Sequence, residues 1–178
     1  MSIAQIIPAA SYANVRWKNG GGTTSEIAVF PPGAGMEDFL WRLSMAQVET
    51  PGPFSAFHGV DRTLAVIEGA LTLAGPDFEV TLDDTSAPFR FDGHACVHGH
   101  PLGGSVRDLN AMVRRGAYSA SMAWLRPGDL AMCTGTGFII AAEAQTCAIH
   151  RLGKLDCALI DAPVRITGRA LFVDFTTA

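Results

Sequence analysis

The stretch that decides the fold lies at residues 40–50 and reads Leu40-Trp41-Arg42-Leu43-Ser44-Met45-Ala46-Gln47-Val48-Glu49-Thr50. The apolar residues Trp41, Leu43 and Met45 occupy every second position. Arg42 and Ser44 lie between them. Because successive side chains of a strand point to opposite faces, this period of two predicts a β-strand with Arg42 and Ser44 on one face.

Short β-prone segments separated by glycine and proline continue on both sides of this strand. The breakers Pro31-Pro32-Gly33 precede it, and Pro51-Gly52-Pro53 follow it. Residues 63–74 read as a hairpin that turns at Glu68-Gly69, and residues 105–113 read as a later strand. No helical stripe lasts beyond two turns. Many short strands with frequent breaks predict an all-β protein, a sandwich or a barrel.

A faint internal repeat divides the chain into two lobes. A strand, a glycine turn and a second strand lead to Phe91-Asp92-Gly93, and a similar series leads to Ile160-Asp161-Ala162, about 70 residues later. This spacing suits two small jelly-roll barrels that share a core. We therefore expect an N-terminal lobe at residues 1–125 and the remainder of a second lobe at residues 126–178.

The composition excludes several classes of partner. With 48% hydrophobic and 17% charged residues among 178, the chain can bury a substantial core. Its net charge of −4 offers no basic surface for nucleic acid. Its apolar runs are shorter than the roughly 18 residues of a membrane span, and no secretory signal is recognisable. The four cysteines form no CxxC pair, which is typical of a reducing compartment. We expect a cytoplasmic protein that binds neither nucleic acid nor membrane.

A glycine loop precedes the decisive strand and reads Trp17-Lys18-Asn19-Gly20-Gly21-Gly22-Thr23-Thr24-Ser25-Glu26. Glycines permit positive φ and a close approach of the backbone to a ligand or to another chain segment. The indole, amide, hydroxyl and carboxylate groups around them can recognise a small molecule. The alternative interpretation is a turn that only joins two strands.

Three histidines, His94, His98 and His100, are candidate metal ligands. A His-x-His pair on a strand places both imidazoles on one face. The five residues after His100 contain no carboxylate that could complete a site, and Asp108 is the first acid downstream. We therefore expect no bound metal and no other cofactor. The chain also lacks a nucleophile elbow, a phosphate loop and a dinucleotide fingerprint, which favours a protein that is not an enzyme.

Four motifs resemble, in order and spacing, those of the HutD/Ves family and span about residues 15–113. They are Trp17-x-Asn19-Gly20-Gly21-x-Thr23-x-x-Glu26, Trp41-Arg42-x-Ser44, Gly52-x-Phe54-Ser55-x-Phe57-x-Gly59-x-x-Arg62 and Asp108-x-Asn110-x-Met112. The resemblance implies a two-lobed cupin (bicupin) fold without the usual cupin metal ligands. It also implies a role in histidine utilisation, through binding of a metabolite such as formylglutamate or urocanate. Some relatives carry a label related to cold stress instead.

The motifs and their chemistry together define a candidate site in the N-terminal lobe. Arg42 and Arg62 are the best donors to a carboxylate. We expect Glu26 and Asp108 to hold these arginines rather than to contact an anion. In the alternative, the arginines are structural, are paired with those same carboxylates and bind no ligand. The candidate ligand-binding residues are Trp17, Asn19, Thr23, Glu26, Arg42, Ser44, Phe57, Arg62, Asp108 and Asn110.

The leading hypothesis is a cupin without metal that binds a small acidic metabolite and modulates histidine utilisation. One alternative is a cupin metalloenzyme that acts on a small catabolic metabolite through the histidine cluster. Another is a protein-interaction module that uses exposed β-edges. The sequence leaves open the identity of the ligand and the formation of a homodimer.

Overall fold

The computed structural model describes residues 3–178, and strands dominate this range. Within it lie one 3₁₀ turn at Ala9–Ser11 and seventeen strands. The first nine are β1 (Ile3–Ile7), β2 (Ala13–Arg16), β3 (Gly22–Phe30), β4 (Trp41–Val48), β5 (Gly52–Pro53), β6 (Val60–Ala74), β7 (Glu79–Asp83), β8 (Phe89–Asp92) and β9 (His98–Arg114). The others are β10 (Tyr118–Leu125), β11 (Leu130–Ala131), β12 (Thr136–Ala141), β13 (Gln145–Cys147), β14 (His150–Leu152), β15 (Cys157–Ile160), β16 (Val164–Arg165) and β17 (Ala170–Thr177). The all-β prediction is confirmed.

No helix within residues 3–178 is both long and apolar enough to cross a membrane.

The chain divides into two compact units. One is Ala13–Ala117, and the other combines residues 3–12 with Tyr118–Ala178. The sequence placed the division after residue 125. The structure instead assigns β10 to the second unit, because β10 pairs along its whole length with β17. The same unit includes β1, because β1 pairs with β15.

The unit that contains β1 and β10–β17 is built on a five-stranded antiparallel sheet. Its strand order is β1-β15-β12-β17-β10, with two-stranded ribbons β11-β16 and β13-β14 beside it. Ile139, Leu152 and Ile166 are central to its apolar core. The buried Asp174 accepts hydrogen bonds from the backbone of Thr134 and Gly135, which satisfies polar groups of the turn before β12.

The Ala13–Ala117 unit contains an eight-stranded sheet and every candidate site residue. Six strands follow the order β2-β3-β4-β9-β6-β7, while β5 pairs with β9 and β8 pairs with β6. The strand predicted at residues 40–50 is β4. Leu64, Val66 and Leu71 belong to an apolar cluster that is almost entirely buried. Burial of this apolar surface is the main stabilising contribution in such a unit.

The hairpin predicted at residues 63–74 is wrong, because this segment is part of the single strand β6. The strand stays paired with β9 from Val60 to Ala74, through register shifts on either side of Glu68. Gly69 has a φ of +82°, and a Cβ there would lie 3.0 Å from the carbonyl oxygen of Ser105. The glycine therefore forms a bulge that keeps the strand paired, rather than a turn.

Candidate functional site

A pocket of about 830 Å³ lies in the Ala13–Ala117 unit and is lined by residues of strands β2 to β6, of β9 and of the adjoining loops. The strand register brings the sequence motifs together there. Glu26 lies opposite Ser44, which lies opposite Asn110. Met112 lies opposite both Arg42 and Arg62. Because directly opposed residues of antiparallel strands share a face, these side chains converge on one side of the sheet.

Nine of the ten candidate residues line this pocket: Trp17, Asn19, Glu26, Arg42, Ser44, Phe57, Arg62, Asp108 and Asn110. Thr23 does not. It lies opposite Gln47, which lies opposite Arg107, and Arg107 donates a hydrogen bond of 3.2 Å to the Gln47 side chain on that other face. Thr24 lines the pocket instead, and its Oγ1 accepts a hydrogen bond of 2.8 Å from Nε1 of Trp17.

The glycine loop is a tight turn that places Trp17 in the pocket wall. The N–H of Trp17 donates to the carbonyl of Gly22 at 2.9 Å, and the N–H of Gly20 donates to the carbonyl of Trp17 at 2.9 Å. Gly20 has a φ of +72°, and a Cβ at Gly22 would clash with the carbonyl oxygen of Gln47 and lie 3.1 Å from the Trp17 ring. The turn geometry thus explains why residue 20 is glycine, and the packing of the Trp17 indole explains why residue 22 is glycine.

Arg42 is held in the pocket wall by Glu26. Its Nε lies 2.8 Å from Glu26 Oε2, as expected from the sequence. The Arg42 side chain is 11% exposed and that of Glu26 is 35% exposed. A charge-assisted hydrogen bond in this half-buried setting is stronger than one at the surface.

Arg62 is buried in an aromatic environment. Its guanidinium carbon lies 5.3 Å, 5.8 Å and 5.2 Å from the ring centroids of Phe54, Phe57 and Phe91, respectively, within cation–π range. Nη1 donates to the carbonyl of Ser55 at 3.1 Å, whereas Nε has no hydrogen-bond partner in the described chain. Burial lowers the pKa of Arg62 to about 10, although the charge of Asp108 opposes the shift. The guanidinium is therefore still protonated at neutral pH.

Asp108 is the most deeply buried acid of the pocket, with 1% exposure. Neither of its carboxyl oxygens has a hydrogen-bond partner within residues 3–178, and the same holds for Oδ1 of Asn110. Burial raises the pKa of Asp108 to about 7, although the charge of Arg62 opposes the shift. The expectation that Asp108 holds Arg62 is therefore wrong: the two attract each other but form no hydrogen bond. Buried polar atoms without partners mark a place where a ligand or water could bind.

The three histidines lie outside this pocket. His98 and His100 are exposed on β9, and the His94 ring stacks on that of His58 with 3.7 Å between centroids. In the described part of the chain, no group of three or more His, Cys, Asp or Glu residues is arranged to hold a metal ion.

Several residues that line the pocket were not predicted from the sequence. Ala34, Gly35 and Met36 come from the loop between β3 and β4, and their chemistry gave no signal. Phe54 had a signal, because it stands in the same family motif as Phe57. Its ring packs edge-on against Trp17, with centroids 6.4 Å apart, and also contacts Arg62.

Sequence comparisons connect the chain to one family. The HutD family model matches residues 9–171. A relative described as an uncharacterized 21.2 kDa protein in the hutC 3′ region of Pseudomonas putida is 32% identical over 178 residues, covering 94% of this chain and 92% of that protein. Protein Ves of Citrobacter koseri is 37% identical over 136 residues, covering 72% of this chain and 69% of that protein.

Solved structures agree with this relationship. HutD from Pseudomonas fluorescens SBW25 superimposes with a TM-score of 0.87 at 30% identity, covering 98% of each chain. A cupin 2 conserved barrel domain protein from Leptotrichia buccalis gives a TM-score of 0.59 at 8% identity, covering 100% of this chain and 98% of that one, which shows the cupin fold alone. The resemblance inferred from the four motifs is thus confirmed. The chain belongs to the HutD family.

Proposed function

We propose that this protein binds a small carboxylate metabolite in the pocket and modulates histidine utilisation in the cytoplasm, without a metal. The observation that carries the proposal is the buried Arg62, whose Nε has no partner within residues 3–178 although the side chain lines an open pocket. A buried guanidinium with an unused donor favours an anionic ligand, because a carboxylate would satisfy both its charge and its N–H groups.

The remaining pocket chemistry supports a ligand of metabolite size. A volume of about 830 Å³ lies within the usual range for small-molecule sites. Phe54, Phe57 and Met112 provide apolar walls, and Ser44 and Asn110 provide a hydroxyl and an amide. A formylglutamate-like ligand would direct its carboxylates to the arginines and its N-formyl group to these neutral polar groups. A urocanate-like ligand would direct its single carboxylate and its imidazole in the same way.

The names of the relatives support the pathway part of the proposal. One relative is encoded near hutC, and one superimposable structure is named HutD. The cupin-fold neighbour that covers the whole chain and the division into two compact units support a bicupin arrangement, with one cupin barrel in each unit. The name of the Ves relatives does not refer to histidine utilisation and gives this part of the proposal no support.

A binding comparison of arginine variants tests the proposed function. We expect N-formylglutamate or urocanate to raise the melting temperature of the parent protein. Arg62→Gln should weaken binding by about 10- to 100-fold, since a hydrogen bond to a charged group contributes roughly 1.5–3 kcal/mol. Calorimetric titration measures the affinity, and thermal melting verifies that each variant is folded.

Arg107→Gln is the control, because Arg107 is a partly buried arginine of the same sheet that is paired with Glu68 on the other face. It should retain the parent affinity. The proposal is overturned if no carboxylate binds the parent protein. It is also overturned if Arg62→Gln and Arg42→Gln are folded and bind as tightly as Arg107→Gln.

A further inference from the structure

Asp108 is an acid placed where an anion is expected to bind. The residue directly opposite it on β4 is Ala46, and the one opposite it on β6 is Val66. Neither can donate a hydrogen bond from its side chain. Both Asp108 oxygens are buried and have no partner in the described residues, yet the residue lines the pocket. The carboxyl group thus lies in the pocket wall, and no side chain of the described residues donates a hydrogen bond to it.

The other charged groups of the pocket come from strands β2, β3, β4 and β6 and from the glycine loop. Arg62 is on β6, and Arg42 on β4 is paired with Glu26 on β3. On β9 itself the neighbouring pocket residue is the neutral Asn110. The exposed Arg16 and Lys18 complete the charged lining. Arg42, Arg62 and Glu26 together carry one net positive charge. An ionised Asp108 cancels that charge, whereas a neutral Asp108 leaves it unchanged.

A bound carboxylate changes this balance. A ligand carboxylate beside an ionised and buried Asp108 is repelled, because burial of the Asp108 carboxyl group lowers the local dielectric constant. A protonated Asp108, by contrast, carries an O–H group that can donate a hydrogen bond to the ligand. Protonation thus converts a repulsive neighbour of the anion into a donor, while Arg62 keeps its charge.

We propose that a carboxylate ligand binds this pocket together with one proton, which is taken up by Asp108. The inference rests on the proposed function and adds a regulatory property, because the affinity then depends on pH. The reaction is a simple association: the proton comes from the solvent and forms the O–H bond of Asp108, and no bond of the ligand is broken.

The burial of Asp108 already favours this proton uptake. Burial raises the pKa of Asp108 to about 7 in the ligand-free protein. Below this pH the proton is already bound, and binding of the anion needs no further uptake. Above it, linkage requires the affinity to fall with rising pH, by about tenfold per pH unit. A site of this kind releases its ligand when the surroundings become alkaline.

Calorimetric titration with N-formylglutamate tests the proposal, because both carboxyl groups of this probe stay ionised above about pH 6. Titrations at about pH 8.5 in two buffers with different ionisation enthalpies give the number of protons taken up. We expect about one proton for the parent protein and none for Asp108→Asn, whose amide imitates the neutral acid. Between about pH 7 and about pH 9 the parent affinity should fall roughly 50-fold, whereas that of Asp108→Asn should stay constant.

Asp77→Asn removes an exposed carboxyl group outside the pocket and should retain the parent pH profile. Binding by the parent protein without proton uptake would overturn the inference and leave the proposed function intact. Equal proton uptake by Asp108→Asn would also overturn it. If neither N-formylglutamate nor urocanate binds the parent protein even at about pH 6, the proposed function fails as well. The parent titrations alone decide the matter if Asp108→Asn does not fold.

Discussion

Arg62 and Asp108 are buried charges of opposite sign that line one pocket without a hydrogen bond between them. Arg62 interacts with three phenylalanine rings and one backbone carbonyl. Ionised Asp108 has no comparable compensation. An uncompensated buried charge opposes folding and is found mainly where a function requires it. The ligand-free pocket therefore retains destabilising groups that a bound carboxylate and a proton would satisfy.

This destabilisation gives a prediction for Asp108→Asn in the absence of ligand. Asp108 has a pKa of about 7 when folded, compared with the ordinary value of 3.8 expected in the unfolded chain. Its contribution to stability is thus fully present below about pH 4 and is lost as the pH rises through about 7. Asparagine stays neutral throughout. We expect Asp108→Asn to raise the free energy of unfolding by on the order of 1–4 kcal/mol at about pH 8. At about pH 4 it should change little.

Urea unfolding at both pH values measures this difference. Asp77→Asn, at an exposed position, should have little effect at either pH. The loss of the attraction to Arg62 acts in the opposite direction, but it is the smaller effect, because the pKa of Asp108 is raised despite Arg62. Destabilisation by Asp108→Asn at about pH 8 would show that the attraction dominates and would contradict the prediction.

The chemistry of individual residues made much of the polar lining of the pocket predictable. Polar positions singled out seven of the residues that the fold brings together, and the family motifs added Trp17 and Phe57. The error at Thr23 was avoidable, because a period of two counted back from Glu26 selects Thr24. The missing contact between Arg62 and Asp108 was not predictable. It depends on side-chain positions across strands that are far apart in sequence.

At the scale of elements, glycines in β6 and β9 were mistaken for the ends of strands. Gly69 has positive φ within β6, and Gly103 and Gly104 have positive φ within β9. Locally, such glycines look the same in a turn and in a bulge. The difference is whether the flanking segments keep one common partner strand. Here β6 and β9 pair with each other on both sides of their glycines, and this long-range pairing leaves no local signature.

The bulge interpretation predicts that Gly69→Ala is more destabilising than Gly116→Ala. The two glycines have nearly equal φ values of +82° and +81°, so alanine meets the same backbone strain of about 1–2 kcal/mol at both. A Cβ at Gly69 would also lie 3.0 Å from the carbonyl oxygen of Ser105, whereas nothing lies within 4 Å at Gly116. We expect the overpacking to add about 1 kcal/mol at Gly69.

Chemical denaturation of the two variants measures the difference, with Gly116→Ala as the matched control. Equal losses in the free energy of unfolding would mean that β9 moves away from Gly69 without penalty. In that case the bulge would not be held as closely as the structure indicates.

At the scale of the whole molecule, the sequence indicated two lobes but not their exact composition. The division differs because the structure places residues 3–12 and the strands from β10 to β17 in one unit, through the pairing of β1 with β15 and of β10 with β17. Strands β1 and β15 are more than a hundred residues apart in the sequence, and β10 and β17 are about fifty residues apart. Hydrophobic periodicity identifies the strands but does not identify partners at such distances.

The metal content of the purified protein is a final property of the whole molecule that the structure allows us to predict. A metal site needs three or four ligands on converging vectors. His98 and His100 are exposed on β9, whereas the His94 ring is stacked on His58. None of these four histidines lines the pocket. We expect elemental analysis of the untagged protein to find far less than one transition-metal ion per chain. We also expect the double variant His98→Ala/His100→Ala to melt like the parent protein when zinc is added.

His150→Ala is the control for the loss of a histidine from the other compact unit. About one metal ion per chain, retained in His150→Ala and lost in the double variant, would contradict the prediction. It would also favour the alternative of a cupin metalloenzyme, because the histidines would then have to rearrange around the ion.

Ligand binding tested with and without a chelator distinguishes the metal-free binder from the metalloenzyme. A pocket that relies on Arg62 and Arg42 retains its affinity for carboxylates after chelation, whereas a metal-dependent site loses it.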